Sequence, residues 1–211
     1  MKTVERQKII EELKTGIANG TFGPGQRLVE SRLSELLGAP RSRIREVLRN
    51  LEQDGFVKII PNAGAVVAEF SQRDIEHLYD LISVLEGLAV RVITPFLSDE
   101  QIGAIEALVS KIEASSGPTL FYHSNMEFHG LLTTLTENDH LIKLMDSLRS
   151  RIQCVNLQIL LAPGQMATSI KDHRKILEAM KRRDSVRAEQ LMRNHILQAK
   201  NHLLRGMNKS L

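Results

Sequence analysis

The sequence predicts a mainly α protein: an N-terminal winged helix-turn-helix followed by an antiparallel all-α helical bundle. Three observations predict it. Two amphipathic segments between Glu30 and Val57 are joined by Gly38-Ala39-Pro40. Two short β-branched runs follow, separated by Pro61-Asn62-Ala63-Gly64. After Ala68 no strand pattern appears, only helical periodicity punctuated by breaks such as Gly117-Pro118 and Pro163-Gly164. The boundary therefore falls near Phe70, giving expected domains of residues 1–70 and 71–211.

The first expected helix, Val4 to Ala18, carries Ile9, Ile10, Leu13 and Ile17 on one face. Asn19-Gly20 stops it, Thr21 to Gly25 forms a turn, and Gln26–Val29 is a short extended piece. Leu33, Leu36 and Leu37 stripe the next helix. Ile44, Val47, Leu48 and Leu51 stripe the one after it, at the i, i+3, i+4, i+7 spacing of one buried face. Gly38 tolerates the positive φ of a helix C-cap and Pro40 suits a helix start. Gly55 ends that helix, Phe56–Ile60 and Ala65–Ala68 read as a hairpin, and three helices closed by a hairpin make a winged helix.

The outward face of the second helix of the pair carries Ser42, Arg45, Glu46 and Arg49, flanked by Arg41 and Arg43. Four arginines against one Glu46 between Arg41 and Arg49 make a local positive patch. In a recognition helix the N-terminal residues meet base edges, and Arg is shaped to contact guanine O6 and N7. A wing tip at Asn62–Gly64 suits the adjacent minor groove, although Gly64 also satisfies the turn's backbone angles.

In the second half, Ser71–Asp74 and Ser98–Gln101 have the form of capping boxes, with Phe70/Ile75 and Leu97/Ile102 as hydrophobic staples. They start helices at about 72–95 and 99–114, and further helices are expected at 118–136, 139–161, 165–182 and 185–206. Six antiparallel helices with short connections form a bundle. The formal net charge of the 211 residues is only +3, so the basic character is local. The single Cys154 excludes a disulfide framework, fits a reducing cytoplasm and reads as inert packing. With no signal peptide and no membrane-spanning apolar run, a cytoplasmic protein is expected.

Three runs carry a resemblance to a known family. They are Ile17-x-x-Gly20-x-Phe22-x-Pro24-Gly25-x-x-Leu28, Leu33-Ser34-Glu35-Leu36, and Arg41-x-x-Ile44-Arg45-Glu46-x-Leu48-x-x-Leu51-x-x-x-Gly55. Together they resemble the GntR family of bacterial transcription regulators, and the helical half resembles the ligand-sensing domain of its FadR-like branch in the six-helix form. The resemblance implies a homodimer bound to an inverted-repeat operator in double-stranded DNA, released or rearranged by a small metabolite, typically an organic acid. It places Arg41, Ser42, Arg45 and Gly64 at the DNA. Two departures stand out: Pro40 replaces a common N-cap Ser, and Arg43 replaces a common Pro, adding a phosphate or base contact.

Asn125 and His129, spaced i, i+4, share a helix face; His173 and His195 lie on the last two expected helices. Antiparallel helices can bring the four together. Spacing alone leaves two readings open: partly buried hydrogen-bonding histidines, or ligands of Zn²⁺, Ni²⁺ or another divalent ion. The resemblance favours the metal, because sensors of this branch that hold one carry Asp-x-x-x-His and two later histidines. Asn125 stands in place of that Asp, which implies looser metal binding and a stronger pull on an anionic effector. His77, His123, His140 and His202 fall outside the pattern. A family arginine in the first bundle helix is replaced by Ile82 or its neighbour. The charge of a carboxylate effector then falls to the metal and to Arg149 or Arg151, unless these two are simply solvated.

Two other functions compete. A three-His metal-dependent hydrolase lacks a placed base, since Glu127 points away from the face of Asn125 and His129. An effector-independent architectural DNA binder would leave the polar bundle interior uncompensated. A repressor is expected over an activator, because blocking a promoter needs no further surface.

Overall fold

The computed structural model describes residues 2–60, 64–153 and 165–207. The described residues form two compact units, one holding the chain up to Ser71 with the stretch from Ser147, the other Gln72–Asp146 with the two C-terminal helices.

In the first unit, α1 (Lys2–Ala18), α2 (Glu30–Leu37) and α3 (Arg41–Gln53) surround a core with a small sheet. Ile9, Ile10, Leu13 and Ile17 of α1 are buried against Leu33 of α2, Ile44, Val47, Leu48 and Leu51 of α3, and Phe56. One expected core residue is misplaced: Leu36 is 68% exposed. On a helix this short, Leu33 and Leu37 share the inward face through their i, i+4 spacing, and Leu36 falls to the side. Gly38 ends α2 at φ 61°, the left-handed conformation that its lack of a Cβ permits. The turn is closed by Ser34 Oγ donating to the Ala39 carbonyl at 2.6 Å. Pro40 then starts α3 without a side-chain cap, its carbonyl accepting from the Arg43 and Ile44 amides.

The sheet has order β1-β3-β2, all antiparallel, with β1 at Arg27–Leu28, β2 at Val57–Ile60 and β3 at Gly64–Val67. The expected hairpin is present, with Val57 opposite Val67 and Ile60 opposite Gly64. The extended piece before α2 is a third strand, pairing Arg27 with Val66 and Leu28 with Ala65. Its local pattern is too short to announce a partner so far along the chain. Phe56 falls before β2 and is fully buried, its amide donating to Leu51 at the end of α3.

The second unit is helical throughout its described residues: α4 (Gln72–Ile93), α5 (Asp99–Glu113), α6 (Pro118–Thr134), the start of α7 (Asp139–Gln153), α8 (Gln165–Lys181) and α9 (Ser185–Met207). The 72–95 expectation ends earlier, in a 3₁₀ turn at Thr94–Phe96, because Pro95 has no amide to continue the α-helical ladder. At Ser98 the capping box forms: Gln101 N donates to Ser98 Oγ at 3.1 Å and Ser98 N to Gln101 Oε1 at 2.8 Å. α4 packs along α9 and touches α6, α9 packs on α8, and α5 bridges α6 and α8. These contacts bring the histidine-bearing helices α6, α8 and α9 together around α4. Cys154, the expected end of α7 at 161 and the wing residues Asn62 and Ala63 lie outside the described residues. Among the described residues no helix is long and apolar enough to cross a membrane.

Leu13→Ala is expected to lower the stability of the first unit by about 2–5 kcal/mol, read as a lower urea midpoint. Leu36→Ala, at the exposed position, is expected to stay within about 0.5 kcal/mol of the parent. Equal losses at the two positions would contradict this packing.

Candidate nucleic-acid interface and metal centre

The amphipathic sequence of α3 decides which side chains face outward. With Ile44, Val47, Leu48 and Leu51 committed to the core, Arg41, Ser42, Arg45 and Arg49 are exposed and Arg43 is half-buried. These groups form one surface of cations and a hydroxyl, suited to phosphate oxygens and base edges. Its charges are more structured than the sequence reading anticipated. Arg45 is held by Glu30 at the start of α2, Nε donating to Oε1 at 2.9 Å and Nη2 to Oε2 at 2.8 Å. Glu46 pairs with Arg6 at 2.9 Å and lies 3.8 Å from Arg43. The hydrogen bonds from Arg45 hold the Glu30 carboxyl below the usual carboxylate range, with the charges of Arg45, Arg41 and Arg49 adding to them. Glu30 lies fifteen residues from Arg45, and no helical spacing in the sequence links the two. Gly64, at the start of β3, is exposed with φ 85°.

In the second unit, His129 on α6, His173 on α8 and His195 on α9 are all buried, with ring nitrogens within 4.8 Å of one another. Ring centroids lie 5.6 Å apart for His129 and His173, 5.4 Å for His129 and His195, and 4.5 Å for His173 and His195. Phe128 packs edge-on against His129 and His173 and fixes the apolar side of the cluster. Burial, reinforced by the neighbouring imidazoles, pushes His173 well below its ordinary value. Burial also takes His195 down to about 3, with His129 adding to the effect and Glu86 opposing it. Both rings are therefore neutral at neutral pH, so each keeps a lone pair.

Neither ring nitrogen of His173 has a hydrogen-bond partner, and the buried Oδ1 of Asn125 has none either. Leaving such groups unmatched costs about 1–3 kcal/mol each. Three imidazoles and an amide oxygen that i, i+4 spacing puts on the His129 face of α6 are a donor set for a borderline divalent ion, which binds imidazole nitrogen at ~2.0–2.1 Å. The residues present fit such an ion. Two carboxyl groups flank the cluster: Glu86 Oε2 is 3.2 Å from His129 Nδ1, and Asp172 Oδ2 is 3.9 Å from His195 Nδ1. A carboxylate beside Nδ1 favours the tautomer that turns Nε2 towards a ligand. Glu86 is almost fully buried on α4, and in the sequence a lone Glu inside an apolar helix has no spacing relation to the histidines.

The remaining expected residues separate. Ile82 is buried, one turn before Glu86 on the same face of α4. Glu127 is exposed and paired with Lys111 at 2.6 Å, on the far side of α6 from His129. His77, His123 and His140 are exposed and His202 is half-buried. Arg149 is half-buried and Arg151 exposed, on the part of α7 that groups with the first unit, whereas the three histidines group with the second. The Arg151 side chain lies against Gly55, its Cγ 2.9 Å from where a Cβ would stand.

Comparison with known proteins places these two surfaces in context. Residues 5–67 match the family described as bacterial regulatory proteins, gntR family, and residues 77–198 match the FCD domain. The uncharacterized HTH-type transcriptional regulator YdhC of Bacillus subtilis is 30% identical over 195 residues, covering 90% of this chain and 85% of its own. The HTH-type transcriptional repressor NanR of an Enterobacter species is 27% identical over 210 residues, covering 88% and 80%. Among solved structures, E. coli McbR/YncC superposes with a TM-score of 0.80 at 20% identity over 95% of this chain and 97% of its own, a likeness of fold. The chain is thus a DNA-binding transcription regulator, not an enzyme, and belongs to the GntR family of bacterial regulators with an FCD domain.

Proposed function

We propose that this regulator is a repressor that binds an inverted-repeat operator as a homodimer and whose grip is tuned by a small carboxylate effector. The effector would bind beside a divalent metal held by His129, His173, His195 and Asn125, with zinc or nickel the best matches to that donor set. The observation that carries the sensor reading is the cluster of three buried imidazoles, two of them held neutral by burial, with ring nitrogens within 4.8 Å. A bound ion supplies positive charge and open coordination positions for a carboxylate. The protein's part is to hold the imidazoles in place through Phe128 and the flanking carboxyl groups of Glu86 and Asp172. A neutral Asn125 in place of a carboxylate leaves more net charge on the ion and makes it a looser guest.

On the DNA side, residues 1–70 would act as the reading domain and 71–211 as the sensing and dimerising domain. Arg41, Ser42, Arg43, Arg45 and Arg49 would enter the major groove, and Gly64 would let the wing approach the minor groove. Repression is supported by relatives described as repressors, NanR of Enterobacter among them.

The dimer reading rests on α4. Besides its buried face, this helix shows a second apolar stripe of exposed side chains, Leu81, Val84, Leu88 and Val92. The stripe runs on to Phe96, which is 85% exposed. Such a row costs solubility unless covered, and a second copy laid antiparallel on it makes a self-complementary two-fold contact. α4 would then carry Glu86, beside His129, on one face and the partner on the other. A ligand at the histidines can act only by binding the DNA-competent and incompetent arrangements unequally.

Three outcomes are expected. Arg41→Ala and Arg45→Ala should each weaken binding to an operator selected from random duplexes by roughly tenfold or more; unchanged affinity would remove α3 from the interface. Protein purified without chelator should contain near-stoichiometric metal by elemental analysis, His173→Ala should contain little, and Asn125→Asp should hold it more tightly against a competing chelator. Negligible metal in both wild type and His173→Ala would sink the sensor reading. Leu88→Asp should convert dimer to monomer by light scattering, and a wild type already monomeric would remove the stripe's role.

A further inference from the structure

The pairing of Arg45 with Glu30 raises a question of chemistry. A guanidinium has five N–H donors in a rigid plane. The contacts to Glu30 use the side edge, Nε to Oε1 at 2.9 Å and Nη2 to Oε2 at 2.8 Å. The end edge remains, formed by one hydrogen on Nη1 and the second on Nη2. It presents two donors side by side, the arrangement that meets guanine N7 and O6. The Arg45 side chain is still 59% exposed, so this end edge is open to a ligand.

Glu30 therefore does two things to Arg45. It restrains a long, rotamer-rich side chain before DNA arrives, which lowers the ordering cost of a base contact. It also cancels the guanidinium charge locally, which makes Arg45 a poor partner for phosphate. The contrast within α3 is direct: among the described residues, Arg41 and Arg49 carry no hydrogen bond or ion pair. Glu30 reaches them only through its field and not by a hydrogen bond, so they stay available to the backbone, while the paired, restrained Arg45 is equipped to read a base.

We propose that Glu30 is a specificity-determining residue, a buttress that turns Arg45 from a general anion contact into a guanine reader. This rests on the reading of α3 as the major-groove helix. The role is positioning: Glu30 acts through Arg45 and itself touches no base.

The test is selection of bound duplexes from a randomised pool, with separate titrations of non-specific duplex over a range of salt. Full-length wild type, Glu30→Gln, Glu30→Ala, Arg45→Ala and the double variant Glu30→Ala/Arg45→Ala are compared. Wild type is expected to enrich one guanine per half-site, and Arg45→Ala to lose that preference. Glu30→Ala should lower the guanine preference about tenfold while binding non-specific DNA several-fold more tightly, with a salt slope steeper by about one phosphate contact. Glu30→Gln, which keeps one acceptor but not the charge, should fall between. The double variant should select no more poorly than Arg45→Ala, the non-additivity of two residues acting as a unit.

A merely structural Glu30 would weaken specific and non-specific binding together, and that result overturns the proposal. So does undiminished guanine enrichment by both Glu30 variants. Wild-type-like selection by Arg45→Ala overturns it while leaving the regulator reading in place. Failure of the wild type to select any sequence removes the major-groove reading and this proposal with it.

Discussion

Burying an imidazole is expensive, and the second unit is built around three of them. His173 has no exposed surface and neither of its ring nitrogens has a hydrogen-bond partner. The helices could have filled that space with leucine at no electrostatic cost. They instead bring the ring nitrogens of His129, His173 and His195 within 4.8 Å of one another, with the carboxyl groups of Glu86 and Asp172 beside them. Apolar packing by Phe128 and its neighbours keeps water away, and that same burial holds His173 and His195 in the neutral form a cation requires. The polar centre and the apolar core are therefore parts of one device, because the core sets the protonation of the centre.

α4 connects that centre to the rest of the second unit. Its inward face carries Ile75, Tyr79, Ile82, Glu86 and Val90, and its outward face carries Leu81, Val84, Leu88 and Val92. A helix apolar on two sides has two partners to satisfy. One is α9 and α6, present in the chain; the proposed second copy is the other. In the proposed dimer, a small displacement at Glu86 would reach the opposite face directly, because a rigid helix moves as a unit.

The winged-helix unit resolves a different conflict. A helix carrying Arg41, Arg43, Arg45 and Arg49 repels itself, and acids placed nearby both stabilise it and compete with DNA. Glu46 is shared between Arg6 and Arg43, whereas Glu30 takes Arg45 in a two-bond grip. The acids therefore differentiate the arginines, and equal charges in the sequence become unequal in chemistry.

The local patterns already determined much of this. The stripe Ile44, Val47, Leu48 and Leu51, the Gly38 cap, the Ser98–Gln101 box and the i, i+4 placement of Asn125 and His129 each follow from helical periodicity and backbone sterics, which act over a few residues. Leu36 shows the limit of such patterns, since a short helix leaves its stripe ambiguous by one flank. Everything linking distant residues was decided by tertiary structure: the pairing of Arg27–Leu28 with β3, the grip of Glu30 on Arg45, Glu86 beside His129, and the meeting of three histidines from three helices. The physical reason is that a hydrogen bond or buried contact depends on separation in space. Once the chain folds back on itself, separation along the sequence no longer predicts it.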